Sequence, residues 1–281
     1  MTMKARRFVS AIALSGTILL AAAGCSAADP SGEGSAGDNP YDLLTPGVIL
    51  SATSGDQPYF TTVEDGGEPE GFLIDLNDVI MKRLGVKIEY KQTPTAGEIP
   101  GLTAGQFDMV TGGFGVTDKR EKAVNFSTAI FWDTIALLAH KDTTITSFDE
   151  MAGKRIGVVT GSIQVEFLKN NYPDAVPVLF QGTNAAVSAL NSGSVDGFVW
   201  SGVSMKPYVD QYEDLAVAYS EPVDHPTSVM FQKSNQALTD AYNNELKKMA
   251  EEGLFKKLYD KYFAGLPVPQ PMVEIYPNLA D

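Results

Sequence analysis

Arg120 stands five residues beyond the last glycine of Gly112-Gly113-Phe114-Gly115. A guanidinium is always charged, and its planar fork fits a carboxylate through two parallel hydrogen bonds. Glycine leaves the backbone N–H groups of Gly113 and Gly115 bare and able to approach a ligand closely. Bare donors followed by one positioned arginine make a candidate carboxylate clamp. The same residues also fit a glycine-rich turn followed by a solvated arginine. A second candidate is Asp56 in the loop Gly55-Asp56-Gln57-Pro58-Tyr59-Phe60, which is either an acid facing a ligand or a turn residue. Phe60, Phe114, Trp132 and Trp200 are candidate aromatic walls, with core packing the stronger expectation for the two tryptophans.

Composition narrows the chemistry. The 281 residues are 44% hydrophobic and 20% charged, ordinary for a globular protein, with a formal net charge of −14. Removal of residues 1–24 would take Lys4, Arg6 and Arg7 from the 21 basic residues and leave all 35 acidic ones. Nucleic-acid binding needs a basic footprint, so no nucleic-acid partner is expected. A single cysteine excludes an internal disulfide, and His140 and His225 lie far apart with no ligand spacing, so no metal or other cofactor is expected.

The N-terminus reads as a targeting segment. A basic stretch, Lys4-Ala5-Arg6-Arg7, precedes an apolar run from Phe8 to Ala23, too short for a comfortable membrane span. The ending Leu19-Leu20-Ala21-Ala22-Ala23-Gly24-Cys25 looks like a bacterial lipoprotein cleavage site with Cys25 as the lipidated residue, although Ala22 replaces the usual leucine. An ordinary signal peptide ending near a cysteine is the alternative. Residues 1–24 are thus expected to be a signal peptide and 25–44 a disordered tether of Ser, Gly, Ala, Asp and Pro.

From Val48 the hydrophobic patterning alternates strand and helix. Val48–Ala52 reads as a strand, Asp75 as the cap of a helix with Leu76, Val79, Ile80 and Leu84 on one face, and Val86–Tyr90 as a strand. A short helix led by Pro100 and a strand Asp108–Thr111 complete a β-α-β-α-β start. A second alternation begins at Arg155–Val159 and runs to Leu215–Ala218. This implies mostly parallel sheets covered on both faces, with ligands at the carboxyl ends of strands. The proline-rich stretch from Pro267 is expected to wrap the surface.

Several segments in order resemble the family 3 extracellular solute-binding proteins, the amino-acid-type receptors of ABC importers. These are Gly71-Phe72-Leu73-Ile74-Asp75-Leu76, Gly105-Gln106-Phe107-Asp108, Thr117-Asp118-Lys119-Arg120, Asn125-Phe126-Ser127, Gly153-Lys154-Arg155-Ile156-Gly157 and Ala189-Leu190-Asn191-Ser192-Gly193-Ser194-Val195-Asp196. The resemblance spans roughly residues 47–264. It implies an α/β, two-lobed type II periplasmic-binding fold: lobe 1 from 45–134 and 225–266, lobe 2 from 135–224, a tail from 267–281, and a ligand cleft between the lobes.

The resemblance also implies roles for residues. Arg120 matches the arginine that holds the ligand's α-carboxylate, and Gly113 and Gly115 match the donors just before it. Gly115 departs from the usual Ser or Thr, so a hydroxyl is lost while the N–H remains. Gly161-Ser162-Ile163-Gln164 matches the helix N-terminus that adds donors from the second lobe, where Ser162 also serves as an ordinary helix cap. Family members usually carry an aspartate for the ligand's ammonium five residues after the position of Asp196. Here that position is Ser201. Either another acid replaces it, with Asp56 the candidate, or the ligand lacks a free ammonium.

The expected function is that of a monomeric receptor, lipid-anchored through Cys25 outside the bacterial cell membrane. It would deliver a small carboxylate-bearing solute, an amino acid or a relative of one, to an ABC importer permease. The rival expectation is a secreted dehydratase of the same fold acting on a prephenate- or arogenate-like acid. That chemistry needs a general acid or base in the cleft. The sequence offers only Asp56 for it and no well-placed histidine.

Overall fold

The computed structural model describes residues 39–64 and 66–280. The proposed signal peptide and Cys25 lie outside these residues, as does most of the proposed tether. None of the described helices is long and apolar enough to cross a membrane.

In chain order the elements are β1 (Val48–Thr53), β2 (Asp56–Gln57), β3 (Thr61–Thr62), α1 (Phe72–Leu84), β4 (Lys87–Gln92), α2 (Thr95–Thr103), β5 (Met109–Gly115), α3 (Asp118–Glu121) and β6 (Val124–Phe126). After β7 (Thr134–His140) come β8 (Arg155–Val159), α4 (Ile163–Asn171), β9 (Val176–Phe180), α5 (Thr183–Asn191), β10 (Gly197–Ser201), α6 (Lys206–Gln211) and β11 (Leu215–Pro222). The chain closes with β12 (Thr227–Gln232), α7 (Gln236–Glu251), α8 (Leu254–Phe263) and α9 (Gln270–Ile275).

Two five-stranded sheets result. The first has the order β4-β1-β5-β12-β6 and the second β11-β7-β10-β8-β9. Each is parallel where a β-α-β unit builds it, β1 with β4 and β5 in one, β8 with β9 and β10 in the other. Each is antiparallel around the strand that enters or returns from the other sheet. β12 runs antiparallel to β5 and β6, and β7 antiparallel to β10 and β11. The sheets are therefore mixed rather than mostly parallel. The chain crosses between them twice, at 132–133 and 223–226. Trp132 bridges the crossings by donating its indole N–H to the carbonyl of Val223 at 2.9 Å.

Helix α1 starts at Phe72, three residues before the expected cap at Asp75. The N–H groups of Phe72 and Leu73 donate to the carbonyls of Tyr59 and Phe60 at 2.8 and 3.1 Å, so the preceding loop supplies the cap. Gly71 (φ 134°) permits this approach, because a Cβ there would lie 2.3 Å from the Phe60 carbonyl oxygen. Asp75 instead accepts from Lys261 and Tyr262 and ties α1 to α8. Pro100 lies inside α2 rather than at its head.

The stretch from Pro267 does not merely wrap the surface. It forms α9 and a 3-10 turn, Pro277–Ala280, and buries Met272, Tyr276 and Leu279 in the core of the first sheet.

Candidate functional site

A cavity lies between the two sheets, where the carboxyl ends of β5 and β10 meet the two crossings. The space left open is about 50 Å³.

From the first sheet, β5 brings Gly113, Phe114 and Gly115 to the wall, and Arg120 follows on α3. The glycines sit in a strand, not in a turn, and their use is space. A Cβ on Gly115 would lie 2.6 Å from His225 Cε1 and 3.0 Å from Ile163 Cδ1. Gly113 already donates its N–H to Gln57 Oε1 at 3.0 Å. Thr117 caps α3 by accepting from the N–H of Arg120.

The Arg120 guanidinium lies 5.1 Å from the centre of the Phe114 ring. It donates to the Gly115 carbonyl at 2.9 Å and to the Gly161 carbonyl at 3.1 Å, so it reaches both sheets. Burial lowers its pKa to about 10, against the opposing pull of Glu98. It remains a cation at neutral pH.

From the second sheet, Ser162, Ile163 and Gln164 line the cavity at the start of α4, and Trp200 and Ser201 line it at the end of β10. Ser162 occupies the cap position, yet its hydroxyl makes no capping bond and has no partner. Three further buried atoms on the cavity wall lack partners among the described residues: Thr95 Oγ1, Trp200 Nε1 and His225 Nδ1. Unpaired buried polar atoms are rare in folded proteins because each costs about 1–3 kcal/mol. Four of them on residues that line one cavity mark a place where a polar ligand could complete the bonding.

Phe60, on the wall beside Gly113, is also core. It packs edge-on to Phe131 at 5.2 Å between ring centres. Trp132 does not reach the cavity. Trp200 does, while stacking on Phe198.

Asp56 is not on the cavity wall. Its carboxylate accepts from the backbone N–H of Thr183 at 2.7 Å, and the Thr183 hydroxyl donates to its carbonyl. The acid is occupied as a cap on α5, contributed across the cleft from the first sheet.

The cavity's acid is Asp133, which the sequence reading missed, as it missed His225. Asp133 sits at the first crossing, just before β7. It accepts from the Ser201 hydroxyl, from the N–H of Thr134 at 2.7 Å and from the N–H of Val203 at 3.3 Å. Burial raises its pKa, and these hydrogen bonds pull it back. His225, at the second crossing, has its pKa lowered by burial and, more weakly, by the charge of Arg120, with Asp224 opposing; it is neutral at physiological pH.

The sequence profile of the bacterial extracellular solute-binding proteins, family 3, matches residues 49–265. The chain belongs to this family. ABC transporter arginine-binding protein 1 of Escherichia coli (strain K12) is 26% identical over 221 residues, 76% of this chain and 90% of that protein. The probable histidine-binding protein of Neisseria gonorrhoeae is 28% identical over 257 residues, 88% of this chain and 95% of that protein. A solved ancestral arginine-binding protein bound to arginine superposes with a TM-score of 0.74 at 30% identity, covering 78% of this chain and 99% of that one. The fold is the two-lobed type II periplasmic-binding fold. In this family member the two sheets are the centres of the two lobes, and the cavity is the inter-lobe cleft.

Proposed function

We propose that this protein is the receptor of an ABC importer and captures an amino acid by closing its lobes. Lobe 1 (45–134 and 225–266) and lobe 2 (135–224) move about the crossings. Arg120 holds the ligand's carboxylate, supported by the N-terminus of α4, and Phe60, Phe114 and Trp200 wall the site. Closure traps the ligand and forms the surface that the permease reads. The observation that carries this reading is the group of four unpartnered buried polar atoms around a cavity that also holds Arg120. The relatives' names agree with it, since they are binding proteins for amino acids. Residues 1–24 act as a signal peptide, and lipid on Cys25 holds the protein, as a monomer, at the outer face of the cell membrane.

Calorimetry of the purified protein against the standard amino acids tests the reading. At least one binds, and Arg120→Ala weakens it at least tenfold, because loss of a buried charged partner costs roughly 2–5 kcal/mol. Unchanged affinity in that variant refutes the clamp. Asp133 and His225 put acid–base groups in the cleft, so arogenate is included with phenylalanine as the readout. No turnover is expected. Fractionation of cells carrying Cys25→Ala tests the anchor, which predicts that the variant leaves the membrane fraction.

A further inference from the structure

The cavity wall carries two side chains that are charged in their ordinary states, Arg120 and Asp133. Apart from the neutral His225, every other side chain on the wall is uncharged. Among the described residues, no lysine or arginine lies within ion-pair distance of Asp133. Its donors are all neutral: one hydroxyl and the backbone N–H groups of Thr134 and Val203, with the Gly202 N–H also close enough to favour the ionised form. A carboxylate accepts about four hydrogen bonds, and a cation placed against a buried one stabilises its charge further. Asp133 lines the cavity, so a cation that completes it comes with the ligand.

Strand pairing explains how the acid comes to be there. β10 runs antiparallel to β7 with Ser201 opposite Ile135, and the N–H of Gly202 donates to the Thr134 carbonyl at 2.9 Å. Asp133 is one residue further along β7's entry, beside the end of β10. Ser201 gives its hydroxyl to the Asp133 carboxylate. An aspartate at position 201 would therefore point its carboxylate at the space Asp133 already fills. The negative charge of the cleft is present, but it is carried by the crossing strand and not by β10.

We infer that Asp133, positioned by Ser201, holds the ammonium group of an α-amino acid whose side chain is uncharged. Arg120 and Asp133 are matched by the ligand's own carboxylate and ammonium, and no charge on the wall is left for a charged side chain. Gln57 and Gln164, both on the wall, are neutral and able to donate and accept, which suits a small polar side chain. The inference rests on the receptor reading above, and it separates this protein from its arginine-binding relatives.

The test is titration calorimetry of the wild-type protein with L-alanine, L-serine, L-glutamine, L-arginine, L-lysine and L-glutamate. Propionate is added as an alanine that lacks the ammonium. One of the neutral three binds at least tenfold more tightly than any charged amino acid. Asp133→Asn weakens that ligand at least tenfold, and propionate less than threefold. The double variant Asp133→Ser with Ser201→Asp restores at least part of the lost affinity, because the acid returns from the neighbouring strand. Binding that favours a charged amino acid overturns the inference and leaves the receptor reading standing. So does an Asp133→Asn variant of wild-type affinity. Absence of binding by every probe to the wild-type protein overturns the inference, while the receptor reading then rests on the remaining standard amino acids. If Asp133→Asn does not fold, the preference order of the wild-type protein decides.

Discussion

Glu98 is the residue in the cleft region with the least support. It is fully buried on α2, and neither carboxylate oxygen has a partner among the described residues. Burial pushes its pKa well above the usual carboxylate range, and the nearby charge of Asp56 adds to this, while the nearby backbone N–H of Ser54 and, more weakly, the charge of Arg120 pull the other way. The folded protein therefore binds this proton more tightly than the unfolded chain does. Its contribution to stability is full below the unfolded pKa near 4.5 and is lost as pH rises through the raised folded value. Wild-type melting temperature should accordingly decline as pH is raised from about 5 to 8, as far as this group controls it. Glu98→Gln keeps the shape, stays neutral and flattens the decline, so it melts higher than wild type at the upper end. Thermal melts at both ends of the range check this. Parallel curves for the two proteins would show that Glu98 ionises at no cost in the fold.

At the scale of elements, the helices and strands were largely legible because they bury continuous faces. The limits of β8 and α8 follow from such faces between turn residues, and those of β9, a largely exposed edge strand, from its apolar and β-branched run alone. The start of α1 was not legible, because its cap is made of backbone carbonyls from the loop before it and no side chain signals them. The cleft was half legible. Arg120 and Ser162 announce themselves by local pattern, but Asp133 and His225 reach the site on the two crossings, about ninety residues apart, and nothing in their neighbourhoods marks them. The C-terminal element was misread because prolines suggested an extended strap. In fact α9 is an anchor: Tyr276 stacks on Phe255 with ring centres 4.3 Å apart and donates its hydroxyl to the Ala129 carbonyl at 2.7 Å. Tyr276→Ala removes a buried ring and leaves that carbonyl unpaired. A loss of about 3 kcal/mol is expected, within the range for buried aromatic truncations. Urea unfolding measures it, and a loss below about 1 kcal/mol would mean that α9 adds little to the core.

At the scale of the whole molecule, the two lobes touch across the cleft, and the contacts between them divide into strong and weak. The Lys119–Glu166 pair at 3.6 Å is solvent-exposed on both sides, so it contributes little to closure. Arg120 reaches the Gly161 carbonyl, and the Ser204 hydroxyl reaches the Pro58 carbonyl at 3.1 Å. The Asp56 cap on Thr183 differs from these because it sets a carboxylate from lobe 1 against the N-terminus of a lobe 2 helix. Such a cap is worth roughly 0.5–2 kcal/mol, and it exists only when the lobes meet. Asp56 is expected to act as a latch on closure, because α5 takes up its carboxylate and it is not on the cavity wall. Asp56→Ala shifts the balance toward the open form and weakens every ligand by one common factor, about 2- to 30-fold on that energy scale. A residue that touched the ligand would instead discriminate by charge, losing a zwitterion while sparing a simple carboxylate such as propionate. Calorimetry of Asp56→Ala with both kinds of ligand distinguishes the two roles. A common factor supports the latch, and a loss confined to ammonium-bearing ligands would return Asp56 to the binding site.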